Sequence, residues 1–335
     1  MPVALIYITE SGRLLAERLT GLYPGAQVVK FAAAAVPRLW ETHERLVFIM
    51  AAGIVVRTIA PLVRDKKQDP AVVVLDEKGR FAISLLSGHL GGANEAARAI
   101  ADFLGGEAVI TTASDVNRLP SLDLWARDNG LLIEEWELLP RIGTRFLDTG
   151  TLPVYAEIDI SLPDAFRRVS EPARAEVLIT HREDVYRGDP AGQHRRGGQL
   201  YLRPRNLILG IGCNSRTPLE EIEEAVRGVL HAANLAFSSV GSLATIDIKA
   251  AEPGLAAFAE KYSFPLASFT PAELNRVPGV ARSEAVFRAT GAHAVSEPAA
   301  LLAAGEGALL VVPKQKTGNV TVAAAAQKYY TGKRD

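Results

Sequence analysis

The segment from Phe81 to Asp115 narrows the possible folds more than any other part of this sequence. It contains an apolar strand at Phe81–Leu86, a loop holding Ser87, Gly88, His89, Gly91 and Gly92, an alanine-rich helix from Ala93, and a second strand ending in Thr111 and Thr112. A loop this rich in glycine lets backbone N–H groups approach a ligand closely. The helix start behind it adds a partial positive charge, so the segment outlines an anion site. His89 is the loop's one side chain that titrates near neutral pH, which adds a means of proton transfer.

The same texture extends along the chain. Val3–Ile8, Leu46–Met50, Ala71–Asp76, Phe81–Leu86 and 108–111 read as strands, and Ser11–Thr20, Ala93–Leu104 and Ser121–Gly130 as helices. Such alternation predicts an α/β sheet covered on both faces. Asp76, Glu77, Lys78 and Gly79 supply turn chemistry between two neighbouring strands, so that pair is expected as a hairpin in a mixed sheet. Ligands in such sheets sit beyond strand carboxyl ends, a place expected for the loop after Leu86 and for a second loop after Met50 (AAGIVVRTIAP).

From Arg141 to Arg205 the pattern loosens into short strand candidates at Val154–Ile160, Glu176–Thr180 and Gln199–Leu202, with an exposed loop expected at Ala191–Gly198. Regularity returns at Asn206. A strand at Leu207–Leu209 leads into a turn at Gly210–Arg216 and a helix with Thr217 as N-cap, Pro218 first and Glu220 completing a capping box. The same device recurs at Thr270, Pro271 and Glu273. A strand at Ile246–Lys249, helices at Leu255–Tyr262 and from Glu297, and two closing strands, Leu309–Val312 and Val320–Ala324, around the loop PKQKTGN complete the reading. The expected fold is therefore two α/β domains, 1–140 and 206–335, with mixed, mostly parallel sheets, joined by a small middle module or linker at 141–205.

Bulk composition excludes several classes. The 335 residues are long for one core, and 37 basic against 38 acidic side chains leave no global field to recruit nucleic acid or an anionic membrane. The start, MPVALIYITESGRLL, has no basic leader and suits a buried strand better than a signal peptide. No apolar run reaches the length of a membrane-spanning helix. One cysteine, Cys213, excludes an internal disulfide and any cysteine-based metal cage, and six scattered histidines suggest none, so a reducing cytoplasm is expected.

Candidate binding groups follow from charge and position. Arg57 and Lys66 stand in a charged run that is either a solvated face or a set of fixed cations for a polycarboxylate. Asn94 and Glu95 begin a helix, where ordinary helix-start chemistry is the default for Glu95. Thr111, Thr112 and Asp115 face a cleft at a strand end, or Ser114 or Asp115 caps a short turn there. Gly212 and Arg216 precede a helix start, a second anion-binding geometry, and Lys249 with Glu252 stands at a strand end. Cys213 reads as packing rather than as a nucleophile.

The run from Gly53 to Asp115, including RTIAPLVRDKKQDP and LLSGHLGGANEAA, resembles the amino-terminal domain of the CbiG family of anaerobic cobalamin biosynthesis. LGIGCNSRTPLEEIEEAV from Leu209, with SLATIDIKAAEPGLAAFAE, VSEPAALLAAG and KTGNVTVAAAA, is similar to the carboxyl-terminal domain shared by CbiG and CobE proteins. The resemblance implies a hydrolase that opens the δ-lactone of a cobalt-containing corrin precursor with water and releases acetaldehyde. It implies a small-molecule corrin substrate, no cofactor because the cobalt belongs to the substrate, no protein metal site, and other enzymes of the pathway as conceivable partners; the oligomeric state stays open. It carries over no catalytic residues. His89 is expected as base or acid, with Asp115 as a second catalytic candidate, amides around Gly88–Gly92 as oxyanion donors and Ser87, Gly88, Gly91, Gly92, Asn94, Thr111 and Thr112 as substrate contacts. A non-catalytic corrin carrier, a nucleotide-dependent oxidoreductase and a corrin methyltransferase are the alternatives. The oxidoreductase lacks a G-x-G-x-x-G fingerprint in this sequence.

Overall fold

A computed structural model describes residues 2–65, 68–186 and 198–328. The chain divides into two compact units, Met1–Trp125 and Ala126–Asp335. The first holds β1 (Val3–Tyr7), α1 (Glu10–Leu19), β2 (Gln27–Lys30), α2 (Val36–Thr42), β3 (Arg45–Ile49), α3 (Ala52–Ile59), β4 (Ala71–Leu75), β5 (Phe81–Leu86), α4 (Ala93–Leu104), β6 (Glu107–Val109) and α5 (Ala113–Val116), followed by α6 (Leu122–Asp128). The strands form one sheet in the order β2-β1-β3-β4-β5-β6.

Side-chain alternation in this sheet feeds two cores. Val3, Leu5, Val47, Ile49, Ala71, Val73 and Leu75 point to one face with residues of α1 and α4, and Ala4, Ile6, Leu46, Phe48, Val72 and Val74 point to the other with residues of α2 and α3. All pairings are parallel except β4 with β5, which form the expected hairpin. That reversal has a topological consequence. The carboxyl ends of β5 and β6 lie at the edge where β1, β3 and β4 begin, so the loop after Leu86 and the chain after Met50 leave opposite edges. The stretch after Met50 is also a helix, α3, rather than a loop: it is rich in residues with an apolar face, and Val55 and Ile59 are buried in the core.

The second unit contains two sheets. The first is built from β7 (Leu131–Ile133), β8 (Leu152–Ala156), β9 (Phe166–Arg168), β10 (Val177–Ile179) and β11 (Leu200–Pro204), in the order β7-β11-β10-β8-β9, with α7 (Leu139–Thr149) beside them in sequence. The region at 141–205 thus supplies four strands of a sheet of its own. The exposed loop expected at Ala191–Gly198 falls almost wholly outside the described residues.

The other sheet has the order β14-β13-β12-β16-β15. Its strands are β12 (Leu207–Cys213), β13 (Val240–Ile246), β14 (Leu266–Phe269), β15 (Leu309–Thr317) and β16 (Val320–Ala326), and its helices α8 (Leu219–Ala232), α9 (Pro253–Lys261), α10 (Pro271–Leu274), α11 (Glu284–Thr290) and α12 (Ser296–Ala304). Leu207, Leu209 and Ile211 face a core shared with α8 and α9, and Ile208 faces one shared with α12. Among the described residues, no helix is long and apolar enough to cross a membrane.

Four local expectations change here. Gly210 and Gly212 are strand residues of β12 rather than turn residues, because β12 pairs with β16 through Cys213. The expected strand at Ile246–Lys249 is the end of β13 followed by a 3₁₀ turn at Asp247–Lys249. PKQKTGN is mostly strand: β15 runs through Pro313 to Thr317, a proline and polar run tolerated because β15 is an edge strand. Thr217 does not cap α8, whose N-cap is Pro218; the Thr217 hydroxyl instead donates to the Asn214 carbonyl at 2.8 Å. The second capping box, Thr270 with Glu273, is present in full.

Gly210 sits where α12 crosses β12, and a Cβ built there would stand 1.7 Å from the Ser296 carbonyl oxygen. Gly210→Ala should therefore destabilise the protein by about 1–3 kcal/mol through overpacking. Gly143→Ala, in α7 with open space around its Cβ, should stabilise by about 0.5–1 kcal/mol. Urea unfolding midpoints of the two variants check the contrast.

Candidate active site

The glycine loop is held shut by its own contacts. Ser87 adopts a left-handed φ of 57°, its hydroxyl donates to the Asp69 carbonyl at 3.0 Å, and its own carbonyl accepts from the Ala93 amide at 3.2 Å. The Gly92 and Asn94 amides donate to the His89 and Gly88 carbonyls at 2.9 and 3.0 Å. A Cβ at Gly91 would stand 2.4 Å from the Ser87 Cβ, and one at Gly88 would stand 2.7 Å from Asn94 Oδ1. Glycine at these positions is therefore required by the loop's closure on itself. Three helix-start amides are spent internally, and those of Gly88, His89, Leu90 and Gly91 have no backbone acceptor among the described residues.

Behind the loop lies a polar cluster whose hub is the Asp115 carboxylate on α5. Oδ2 accepts from Thr112 Oγ1 at 2.7 Å, Asn94 Nδ2 at 2.9 Å and His89 Nε2 at 3.1 Å, and Oδ1 is paired with Arg98. Partial burial alone would raise the Asp115 pKa. Hydrogen bonds from Thr112, Arg98 and His89 outweigh that and hold the carboxyl below the usual aspartate range. Asp115 therefore faces the histidine, and the alternative in which it caps a turn is not what the structure adopts. Asn94, buried, is not a helix cap: its Oδ1 accepts from Ser84 at 2.6 Å and its Nδ2 also donates to Thr112 at 2.8 Å, while Gly92 takes the N-cap position.

An ionised carboxylate only accepts, so the proton between Asp115 and the ring sits on Nε2 of His89. Ser114 Oγ shares that nitrogen at 3.1 Å. The other nitrogen, Nδ1, faces Ser121 Oγ at 3.3 Å and Asp123 Oδ1 at 3.8 Å. His89 remains accessible, with a quarter of its side chain exposed. The two aspartates contact opposite ring nitrogens, and among the described residues no three metal-ligating side chains converge.

The other expected groups are distributed differently. Thr111 is exposed beside the cluster, and Arg57 is exposed in the last turn of α3 with its guanidinium against Gly53. Lys66 lies outside the described residues. Gly212, Arg216 and Lys249 belong to the second unit. There the Lys249 ammonium donates to Ser215 at 2.9 Å and Glu252 at 3.0 Å, and the Arg216 amide donates to the same carboxylate. These contacts, the Arg216 amide first, hold the Glu252 carboxyl below its usual range. Burial pushes the Cys213 thiol up, the opposite of what a nucleophile needs.

Sequence reasoning missed Arg45, Ser84, Arg98, Ser121 and Asp123, and read Ser114 only as a turn cap. Arg45 begins β3, stacks 5.3 Å over the Tyr23 ring and stands beside Gly92, at the edge where the topology brings β3 to the loop. Arg98 sits one helical turn beyond Asn94, an i,i+4 spacing that was the available signal.

Two family models match the chain: the cobalamin synthesis G N-terminal model over residues 34–115 and the cobalamin synthesis G C-terminus model over residues 207–325. A cobalt-precorrin-5A hydrolase of Priestia megaterium is 38% identical over 88% of this chain and 81% of its own length. The cobalt-precorrin-5A hydrolase of Salmonella typhimurium is 32% identical over 90% of this chain and 91% of its own. The protein CobE of a Sinorhizobium species is 36% identical over 41% of this chain and 88% of its own.

Ionised Asp115 stabilises the fold, and because its folded pKa is depressed that contribution is present above the ordinary aspartate value, about 4, and is lost as pH falls below it. Asp115→Asn should therefore be less stable than the parent at pH 7, with the gap closing toward pH 3. Thermal midpoints across that range provide the measurement.

Proposed function

The chain belongs to the CbiG family of cobalamin synthesis proteins, and from that premise we propose that it is a cobalt-precorrin-5A hydrolase, adding water to the δ-lactone of a cobalt-corrin precursor in cobalamin biosynthesis. The observation that carries the reaction's location is the His89–Asp115 pair at 3.1 Å in an accessible loop inside the matched amino-terminal segment.

Lactone opening needs a base to take the proton of the attacking oxygen and donors for the oxyanion that forms on the carbonyl. In this reading Asp115 orients the ring through Nε2 and leaves Nδ1 as the base, and it compensates the positive charge the ring acquires. The amides of Gly88–Gly91 are the oxyanion donors. The substrate carries many acetate and propionate groups, and Arg45 beside the loop offers a bidentate partner for one of them. No cofactor enters: the cobalt arrives with the substrate, and the reaction consumes only water. With a lone cysteine and near-neutral charge, we place the protein in the cytoplasm, acting on a small corrin and not on nucleic acid.

The purified protein should release acetaldehyde from cobalt-precorrin-5A under anaerobic conditions, and His89→Ala should lower kcat by about 10²–10⁴-fold. Tight binding of the corrin with no acetaldehyde from the parent protein would favour the carrier role instead.

A further inference from the structure

Asp115 and Ser114 occupy Nε2 of His89, so the ring works through Nδ1, and what stands against Nδ1 is a hydroxyl: Ser121 Oγ at 3.3 Å. A hydroxyl against the free nitrogen of a histidine whose other nitrogen is bound by a carboxylate is the arrangement that activates a nucleophile. We propose that Ser121 is the nucleophile of this site, forming an acyl-enzyme with the lactone carbonyl before water enters; the proposal rests on the hydrolase reading above.

Three observations bear on it. Ser121 precedes α6, and its backbone is anchored by the Trp125 amide donating to its carbonyl at 2.9 Å. Its side chain is only partly buried. Its hydroxyl donates to Asp123 Oδ1, a carboxylate that also accepts from the Leu124 amide at 3.0 Å. The hydroxyl has one proton and two acceptors. Donated to Asp123 it holds the Ser121 rotamer beside the ring; rotated to Nδ1, 3.3 Å away, it is ready for abstraction, and Asp123 stands 3.8 Å from the nitrogen that then gains positive charge. Ser114 cannot play the same part, because its nitrogen already carries the proton held by Asp115.

The steps balance. Ser121 Oγ forms a bond to the lactone carbonyl carbon as its proton passes to Nδ1. The tetrahedral adduct then breaks the ring C–O bond, and the departing oxygen takes the proton from Nδ1. Water next gives a proton to Nδ1 and bonds to the acyl carbon, and Ser121 Oγ leaves, recovering that proton. The net change of these steps is lactone plus water to hydroxy acid; acetaldehyde then leaves as the hydroxyl gives up its proton, the bond from its carbon to the macrocycle breaks, and the macrocycle carbon takes up a proton.

The test uses the full chain with two readouts. A fluorophosphonate probe should label Ser121 of the parent protein, located by peptide mass spectrometry, and labelling should fall at least about tenfold in His89→Ala. Ser121→Ala with a parental circular dichroism spectrum should lose at least about 10³-fold in acetaldehyde release. Absence of label from Ser121 in a protein that turns over, or a Ser121→Ala variant within tenfold of the parent, overturns the proposal. If Ser121→Ala does not fold, the labelling decides alone. Labelled Ser121 in a protein that releases no acetaldehyde would instead retire the hydrolase reading and leave the activated serine standing.

Discussion

The Asp115 carboxylate is the interaction on which the amino-terminal unit's chemistry depends. It collects donors from the glycine loop (His89), from α4 (Asn94 and Arg98) and from the turn before α5 (Thr112). A half-buried carboxylate without those donors would bear an unpaid desolvation cost, so the charge and its partners hold one another in place. The ring of His89 thereby receives a fixed orientation and a defined free nitrogen, the two properties a base needs before substrate arrives.

The sheet determines which residues can join this hub. Turning β5 against β4 places the ends of β5 and β6 beside the beginnings of β3 and β4, and that edge gathers Arg45, Asp69 and the loop. A wholly parallel sheet would have put the loop beside the chain after Met50 instead. The hairpin turn at Asp76–Gly79 thus selects the neighbours of the site from far outside it. In the second unit the same economy of space shows at Gly210, where the absence of a side chain lets α12 lie on β12.

β1, β3 and β4 were legible because each is buried almost throughout and reads as an apolar run, and α4 was legible from its alanine-rich pattern between two strands; the edge strand β2, with Gln27 and Lys30 exposed, has no such run and was not read. The capping box at Thr270 was legible and its apparent twin at Thr217 was not real, since a capping motif specifies a hydrogen bond only if the preceding backbone allows it. There the chain is turned by Arg216 at a φ of 64°. Gly210 and Gly212 read as a turn because glycine marks both turns and close approaches, and only the partner helix distinguishes the two. In the site, His89 was legible from the loop alone, and Asp115 as one of two open readings. Ser121 and Asp123 were not, because their relation to His89 spans more than 30 residues and depends on where α6 begins.

The most direct test of the account is an anaerobic structure of the protein with cobalt-precorrin-5A bound, in a Ser121→Ala variant that slows turnover. The account predicts the lactone carbonyl carbon within about 3.5 Å of where the Ser121 oxygen stands, its oxygen toward the Gly88–Gly91 amides. A macrocycle that presents only a rim carboxylate to this loop, with its lactone elsewhere, would contradict it.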